Sequence, residues 1–197
     1  MTDKYVLFGN PVAHSMSPAL HAFFAQETHQ DLEYGRILVE EGCFKLRADE
    51  FFRNGGLGCN VTVPCKLDAF SYADNLTEYA ESAGAVNTLK KMPDGSILGD
   101  NTDGRGLVYD LKRLGCQLKD AHVLIIGAGG AAKGILKPVI ECGVKKITIV
   151  NRTVSKALDL AVLYPGIVDG TSYENLNGIY DVIINATSLS LKNELPK

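Results

Sequence analysis

The run His122-Val123-Leu124-Ile125-Ile126 leads into Gly127-Ala128-Gly129-Gly130-Ala131-Ala132, then a helix-prone stretch over Ala131–Cys142 and a second apolar run, Ile147–Val150. This is G-x-G-x-x-A at a strand-to-helix turn, and few patterns restrict a chain so tightly. Gly127 permits the tight turn, Gly129 lets backbone approach a pyrophosphate, and Ala132 lets the helix pack closely on the strand. The helix start offers its free N–H groups to the anion. A lone glycine pattern also fits a plain tight turn, but here strand, turn, helix and second strand come in the required order.

The same alternation runs through the chain. Strand-like runs fall at Tyr5–Phe8, Arg36–Val39, Asn60–Val63, Val123–Ile126, Ile147–Val150 and Val182–Ile184. Helical spacing falls between them at Pro18–Glu27, Cys43–Phe52, Leu67–Ala73, Gly104–Leu114, Ala131–Cys142 and Ser155–Leu163. Strands alternating with helices predict an α/β fold with parallel strands. One exception is a predicted hairpin, Val86–Lys90 and Ser96–Leu98 around Pro93-Asp94-Gly95. A second α/β unit is expected to begin near Asn101–Gly106, which allows two units within 197 residues.

Composition removes several function classes. With 20 basic and 23 acidic residues the net charge is -3, whereas a polyanion partner needs a basic excess, so no nucleic acid is expected. No apolar run reaches about 18 residues, so no membrane span is expected. Met1–Tyr5 lacks the order of a signal peptide. The five cysteines are scattered without a CxxC and without histidines at ligand spacing, which suggests free thiols in the cytoplasm and no metal.

The residues after Val150 bear on the nucleotide. An NAD site usually places Asp or Glu there for the ribose 2′-hydroxyl, but this chain has Asn151-Arg152-Thr153. Arg152 can stack on adenine and pair with a 2′-phosphate, Asn151 and Thr153 can donate to it, and Lys156 adds charge one turn on. The pattern favours NADP, although Arg152 also suits an ordinary exposed arginine.

Four polar clusters lie nearer the N-terminus. In His14-Ser15-Met16-Ser17-Pro18, Ser17 reads as a helix N-cap and Pro18 as the first helical residue, leaving Ser15 without a structural role. The two hydroxyls at a helix start suit a small carboxylate. Asn60–Lys66, Ala85–Thr88 and Gly99–Gly104 are the others. Lys66 alone reads as a solvated lysine, and Asp103 as the N-cap of the next helix. Together, a lysine and a carboxylate suit carbonyl reduction, where hydride goes to carbon and a proton to oxygen.

In order, Gly9–Pro11 with His14–Pro18, Asn60–Lys66, Ala85–Leu89, Asn101–Gly106, Gly127–Ala132, Asn151–Thr153 and Asn185–Ser188 resemble the shikimate dehydrogenase family over nearly the whole chain. The resemblance implies NADPH-dependent, reversible reduction of 3-dehydroshikimate to shikimate in aromatic amino-acid biosynthesis. It implies an N-terminal α/β substrate-binding and catalytic domain over 1–102. A Rossmann-like NADP-binding domain would follow over 103–197, incomplete at its C-terminus. Ser15 and Ser17 would bind the substrate carboxylate, and Thr62, Asn87 and Asp103 its hydroxyls. Lys66 would be catalytic, working beside Asp103 as acid and base. Gly127, Ala128, Gly129, Gly130 and Ala131 would hold the pyrophosphate. Asn151, Arg152, Thr153 and Lys156 would surround the 2′-phosphate, and Thr187, Ser188 and Leu189 would lie beside the nicotinamide ribose. The partner would be the small-molecule substrate, and the protein a monomer or homodimer.

Three departures from the family pattern accompany these implications. Cys65 stands where a bulky aromatic is usual, which makes it either a thiol sensitive to modification or a small buried hydrophobe. Ser190 stands where a glycine is usual. The chain stops at Lys197, whereas family members continue and return a glutamine to the substrate. A relative that accepts quinate and uses NAD, and an inactive NADP-binding fragment, are the alternatives.

Overall fold

The computed structural model describes residues 2–187. The chain divides into two compact units, Met1–Thr102 and Asp103–Lys197.

The first unit runs β1 (Asp3–Gly9), α1 (Ser17–Thr28), β2 (Leu32–Leu38), α2 (Phe44–Arg53), β3 (Gly56–Val61), α3 (Lys66–Tyr72), β4 (Asn75–Leu76), α4 (Glu78–Ala83), β5 (Thr88–Lys91) and β6 (Ile97–Asp100). The strands form one sheet in the order β2-β1-β3-β5-β6-β4. β2 and β3 flank β1 in parallel, and the expected hairpin supplies two antiparallel pairings, β3 with β5 and β5 with β6. Because β5 runs backwards, its first residue, Thr88, lies abreast of Asn60 on β3 and of Asp100, the last residue of β6. One edge of the sheet thus collects the C-terminal ends of β1, β3 and β6 and the N-terminal end of β5.

Side chains alternate between the faces of a strand. Val6, Phe8, Cys59, Val61 and Leu89 point into a core with Phe44, Ala48 and Phe52 of α2 and Ala69 of α3. Phe8 anchors it, meeting the rings of Phe44 and Phe51 edge-on with centroids 5.7 Å away in each case. The opposite face carries Tyr34, Arg36, Leu7, Asn60 and Thr88.

The second unit runs α5 (Asp103–Arg113), β7 (His122–Ile126), α6 (Gly130–Ile140), β8 (Lys146–Val150), α7 (Val154–Ala161), β9 (Val168–Thr171) and β10 (Val182–Asn185). Its four strands are all parallel, in the order β10-β7-β8-β9. Val123, Ile125, Ile147 and Ile149 are fully buried against Ala132, Leu136 and Val139 of α6 and Ala157 of α7. β10 adds on the far side of β7 from β8, so the strand order reverses beside β7. Open α/β sheets bind ligands at such a switch.

Several boundaries differ from the sequence expectation. β2 begins at Leu32 and β3 at Gly56, each earlier than the apolar runs indicate. Backbone pairing, not side-chain character, recruits the polar and glycine residues there. β9 reads Val-Asp-Gly-Thr and carries no alternation. Gly170 lets α7 lie directly on it, since an added Cβ would sit 2.6 Å from the carbonyl carbon of Ala157 and 2.7 Å from the Leu158 nitrogen. Both are backbone atoms, so α7 itself would have to move. We expect Gly170→Ala to destabilise the protein by about 1–3 kcal/mol, read as a lower denaturant midpoint; an unchanged midpoint would refute this packing.

Candidate functional site

The first unit gathers its polar residues at the mixed edge of its sheet. Gly9 ends β1 where an added Cβ would collide with the Thr62 methyl and lie 3.0 Å from the Val63 oxygen. The two loops therefore lie in contact, and the Asn10 amide donates to the Val63 carbonyl at 2.9 Å. Thr62 follows β3 directly, and Lys66 opens α3 four residues later. The Val86 amide donates to the Lys66 carbonyl at 3.0 Å, which ties the start of α3 to the segment that carries Asn87.

Asn87 is buried and bonds both Thr102 and Thr88. Its Oδ1 accepts from the Thr102 amide at 3.0 Å and from the Thr88 hydroxyl at 2.9 Å, and its Nδ2 donates to Thr102 Oγ1 at 3.0 Å. Asn60 Nδ2 donates to Thr88 Oγ1 at 3.3 Å, and the Tyr34 hydroxyl donates to Asn60 Oδ1 at 2.7 Å. A polar row thus runs Tyr34–Asn60–Thr88–Asn87–Thr102. Asn101 is buried beside it and donates to the Ala85 carbonyl at 3.0 Å. Among the described residues no buried side-chain nitrogen or oxygen lacks a partner, as buried polar groups require.

The serine turn corrects the capping expectation. Ser17 is the first residue of α1, Met16 stands at the cap position without a side-chain bond, and Pro18 follows in the first turn. Ser15 takes the structural role, accepting the Ser17 amide at 3.2 Å, while its hydroxyl donates to Ser17 Oγ at 3.1 Å. A side chain two residues upstream of a helix start can reach an orphan N–H as readily as the cap residue when the turn is tight. Arg36 Nη2 holds this turn by donating to the Ser15 carbonyl at 2.6 Å. Asp103 differs too, standing as the first residue of α5 and not before it.

Cys65 is buried, and burial first, then the nearby Asp68 carboxylate, pushes its thiol up. This is the small buried hydrophobe, since reactivity requires exposed thiolate. In pulse alkylation followed by mass spectrometry, Cys65 should label far more slowly than the partly exposed Cys43 and Cys116; equal rates would contradict its burial.

In the second unit the ends of β7, β8 and β10 meet at one edge. Gly127 has φ 106°, a left-handed conformation that favours glycine, and its open side faces the Thr187 methyl at 3.1 Å. Its amide donates to the Val150 carbonyl at 2.8 Å, and the Ala186 amide donates to the Ile126 carbonyl at 2.9 Å. Gly129 and Gly130 face open space, with no atom within 4 Å of an added Cβ. An anion can therefore approach their backbone at the start of the 11-residue α6. Ala128 and Ala131 complete the turn, and Ala132 is fully buried behind it.

Asn151, Arg152 and Thr153 form the loop after β8, and Asn151 Nδ2 braces it by donating to the Thr153 carbonyl at 2.8 Å. Thr153 precedes α7 without capping it through its side chain. The side chains of Arg152 and Lys156 are both exposed and make no hydrogen bond or ion pair among the described residues. Two cations beside a glycine turn, with no carboxylate at the strand end, match the charge of a phosphate-bearing ribose. The residues present therefore fit NADP. Thr187 is oriented by Asn185, whose Oδ1 accepts its amide at 3.0 Å and its hydroxyl at 2.7 Å. Ser188 and Leu189 lie outside the described residues. Among those described, no cluster of potential metal ligands occurs, and no helix is long and apolar enough to cross a membrane.

Tyr34, Arg36, Thr88 and Asn185 were not singled out as site residues from the sequence. Asn185 and Thr88 sit within motifs that the sequence does display, whereas Tyr34 and Arg36 carry no local signal.

Comparison with known proteins agrees with this arrangement. Residues 7–89 match the family model of the shikimate dehydrogenase substrate binding domain, and residues 110–192 match that of shikimate / quinate 5-dehydrogenase. A protein from Vibrio cholerae serotype O1 named shikimate dehydrogenase (NADP(+)) is 53% identical over 196 residues, covering 98% of this chain and 70% of its own length. Among solved structures, the Ael1 enzyme from Pseudomonas putida superposes with a TM-score of 0.95 at 41% identity, over 99% of this chain and 73% of its own. The shikimate 5-dehydrogenase from Thermus thermophilus, solved with NADP(H) and shikimate, gives 0.81 at 30% identity, over 94% and 69%. With the glycine turn, the cationic loop and the polar sheet edge all in place, this chain belongs to the shikimate dehydrogenase family.

Proposed function

We propose that this chain is an NADP-dependent oxidoreductase that interconverts 3-dehydroshikimate and shikimate in aromatic amino-acid biosynthesis. The observation that carries the reading is the 53% identity, over 98% of the chain, to a shikimate dehydrogenase (NADP(+)).

Ser15 and Ser17 hold the substrate carboxylate, supported by their paired hydroxyls at the start of α1. Thr62, Asn87 and Asp103 receive its hydroxyls. Held at the glycine turn and the Asn151–Thr153 loop, the reduced cofactor would supply the hydride and the oxidised cofactor would accept it. In the reductive direction Lys66 gives a proton to the carbonyl oxygen, and in the oxidative direction it takes the proton back. Asp103 provides the carboxylate partner in this acid–base pair. Gly127, Ala128, Gly129, Gly130 and Ala131 receive the pyrophosphate on backbone N–H groups. Asn151, Arg152, Thr153 and Lys156 bind the 2′-phosphate, and Thr187, with Ser188 and Leu189, borders the nicotinamide ribose. The two units take the matching tasks, 1–102 for substrate and catalysis and 103–197 for NADP. The protein works on small molecules, as a monomer or homodimer, in the cytoplasm, where its five free cysteines stay reduced.

Steady-state oxidation of shikimate with NADP, followed through NADPH absorbance, tests the reading, with quinate and NAD as the competing pair. Turnover should be fastest with shikimate and NADP. Faster turnover with quinate and NAD, or none with shikimate, would overturn it.

A further inference from the structure

Tyr34 lies on β2, outside every motif that points to substrate or cofactor. Its register places it abreast of Tyr5 and Gly58, one alternation below Asn60. The side chain leans along the sheet across β1 and donates to Asn60 Oδ1 at 2.7 Å. On its other side, the His21 imidazole of α1 stacks on the ring, with centroids 4.1 Å apart and planes within 3°. The ring is therefore clamped before the hydroxyl makes its bond. Burial, then the neighbouring Cys59, pushes the phenol well above its usual range, so the hydroxyl remains a donor at any working pH. The pairing also sets the Asn60 amide. With Oδ1 engaged by Tyr34, Nδ2 must face Thr88, the hydroxyl of Thr88 then donates to Asn87, and Asn87 holds Thr102.

We propose that Tyr34 is a positioning residue for substrate recognition, fixing through Asn60 the direction of the hydrogen bonds along the polar row that leads to Asn87. It touches no reacting atom. Without its hydroxyl the Asn60 amide is free to turn over and accept from the Thr88 hydroxyl, which then no longer donates to Asn87; Asn87 keeps its bonds to Thr102 but loses one of the contacts that fix its position. The proposal rests on the assignment of Asn87 to the substrate hydroxyls.

The test is Tyr34→Phe, which keeps the ring and the His21 stack and deletes one hydrogen bond. The loss of one such bond predicts a KM for shikimate about three- to tenfold higher. The kcat should stay within about twofold, because the acid–base pair is untouched, and the KM for NADP should not change. Thr88→Val interrupts the row one bond further on while leaving Tyr34 and His21 in place, and should raise the same KM. In an Asn60→Ala background, Tyr34→Phe should add nothing, since its effect travels through that side chain. The proposal is overturned if Tyr34→Phe leaves the shikimate KM unchanged. It is equally overturned if the effect persists undiminished in the Asn60→Ala background, or if kcat and both KM values shift together, as for a packing role. Asn87→Ala reports separately on the underlying assignment. An unchanged KM there removes Asn87 from the substrate site, while the Tyr34–Asn60 coupling is still decided by the double-mutant cycle.

Discussion

Lys66→Ala should lower kcat by roughly 10²–10⁴, the usual scale of a single acid–base group. The substitution removes the proposed proton carrier but leaves the scaffold. Lys66 opens α3, and the bond that ties this turn to the Asn87 segment runs from its backbone carbonyl to the Val86 amide, which alanine preserves. NADP affinity should therefore hold, because the glycine turn and the Asn151–Thr153 loop belong to the other unit. Asp103→Ala should act differently, lowering kcat and also raising the shikimate KM, since the proposed assignment gives the carboxylate both the proton transfer and a substrate hydroxyl. The distinguishing measurement is the split between kcat and KM. If Lys66→Ala raised KM with kcat intact, Lys66 would be a binding residue and the proton would need another carrier.

Arg152→Ala should abolish most of the preference for NADP over NAD. The exposed guanidinium has no partner among the described residues, so its hydrogen-bonding edge stands free for a phosphate. Charge-assisted hydrogen bonds contribute about 1.5–3 kcal/mol, on the order of ten- to a hundredfold in affinity. NAD lacks the 2′-phosphate, so its affinity should barely move. Fluorescence titration of both nucleotides reads the ratio directly, and it should shrink further at high salt as exposed charges are screened. An unchanged ratio would mean that Arg152 is an ordinary surface arginine and that the loop discriminates by other means.

The second unit was legible because its chemistry is written in local spacing. The steps from Gly127 to Gly129 and Ala132 follow from a tight turn, a close anion and a packed helix, and each occupies its expected place. β9 was not legible, because Val168–Thr171 is a strand only through pairing with β8 and the approach of α7 to Gly170. The first unit shows the same division. The motifs carrying Thr62, Lys66 and Asn87 stood out as polar residues at strand ends, yet nothing local marked Tyr34, whose partner Asn60 lies 26 residues away. The serine turn was misread for a related reason. Spacing alone named Ser17 the cap because it precedes a proline. The folded turn starts the helix at Ser17, and its amide finds the hydroxyl of Ser15. Capping depends on where the backbone bends, and that bend is bonded within itself, from the Ser15 amide to the Val12 carbonyl, and from β2 by Arg36.

The reversed hairpin of the first unit separates duty from drift. Its two strands bring Thr88 and Asp100 to the recognition edge, while their connection, Met92–Ser96, turns back at the opposite margin of the sheet and is closed by its own bonds from Ser96 to Asp94. The pairing of β5 with β6 separates that turn from Thr88 and Asp100, so changes of length or composition there should leave the polar row in place. A lineage can therefore rewrite the tip freely while the roots stay constant. The hairpin lets the surface diversify at one margin without retuning the chemistry at the other.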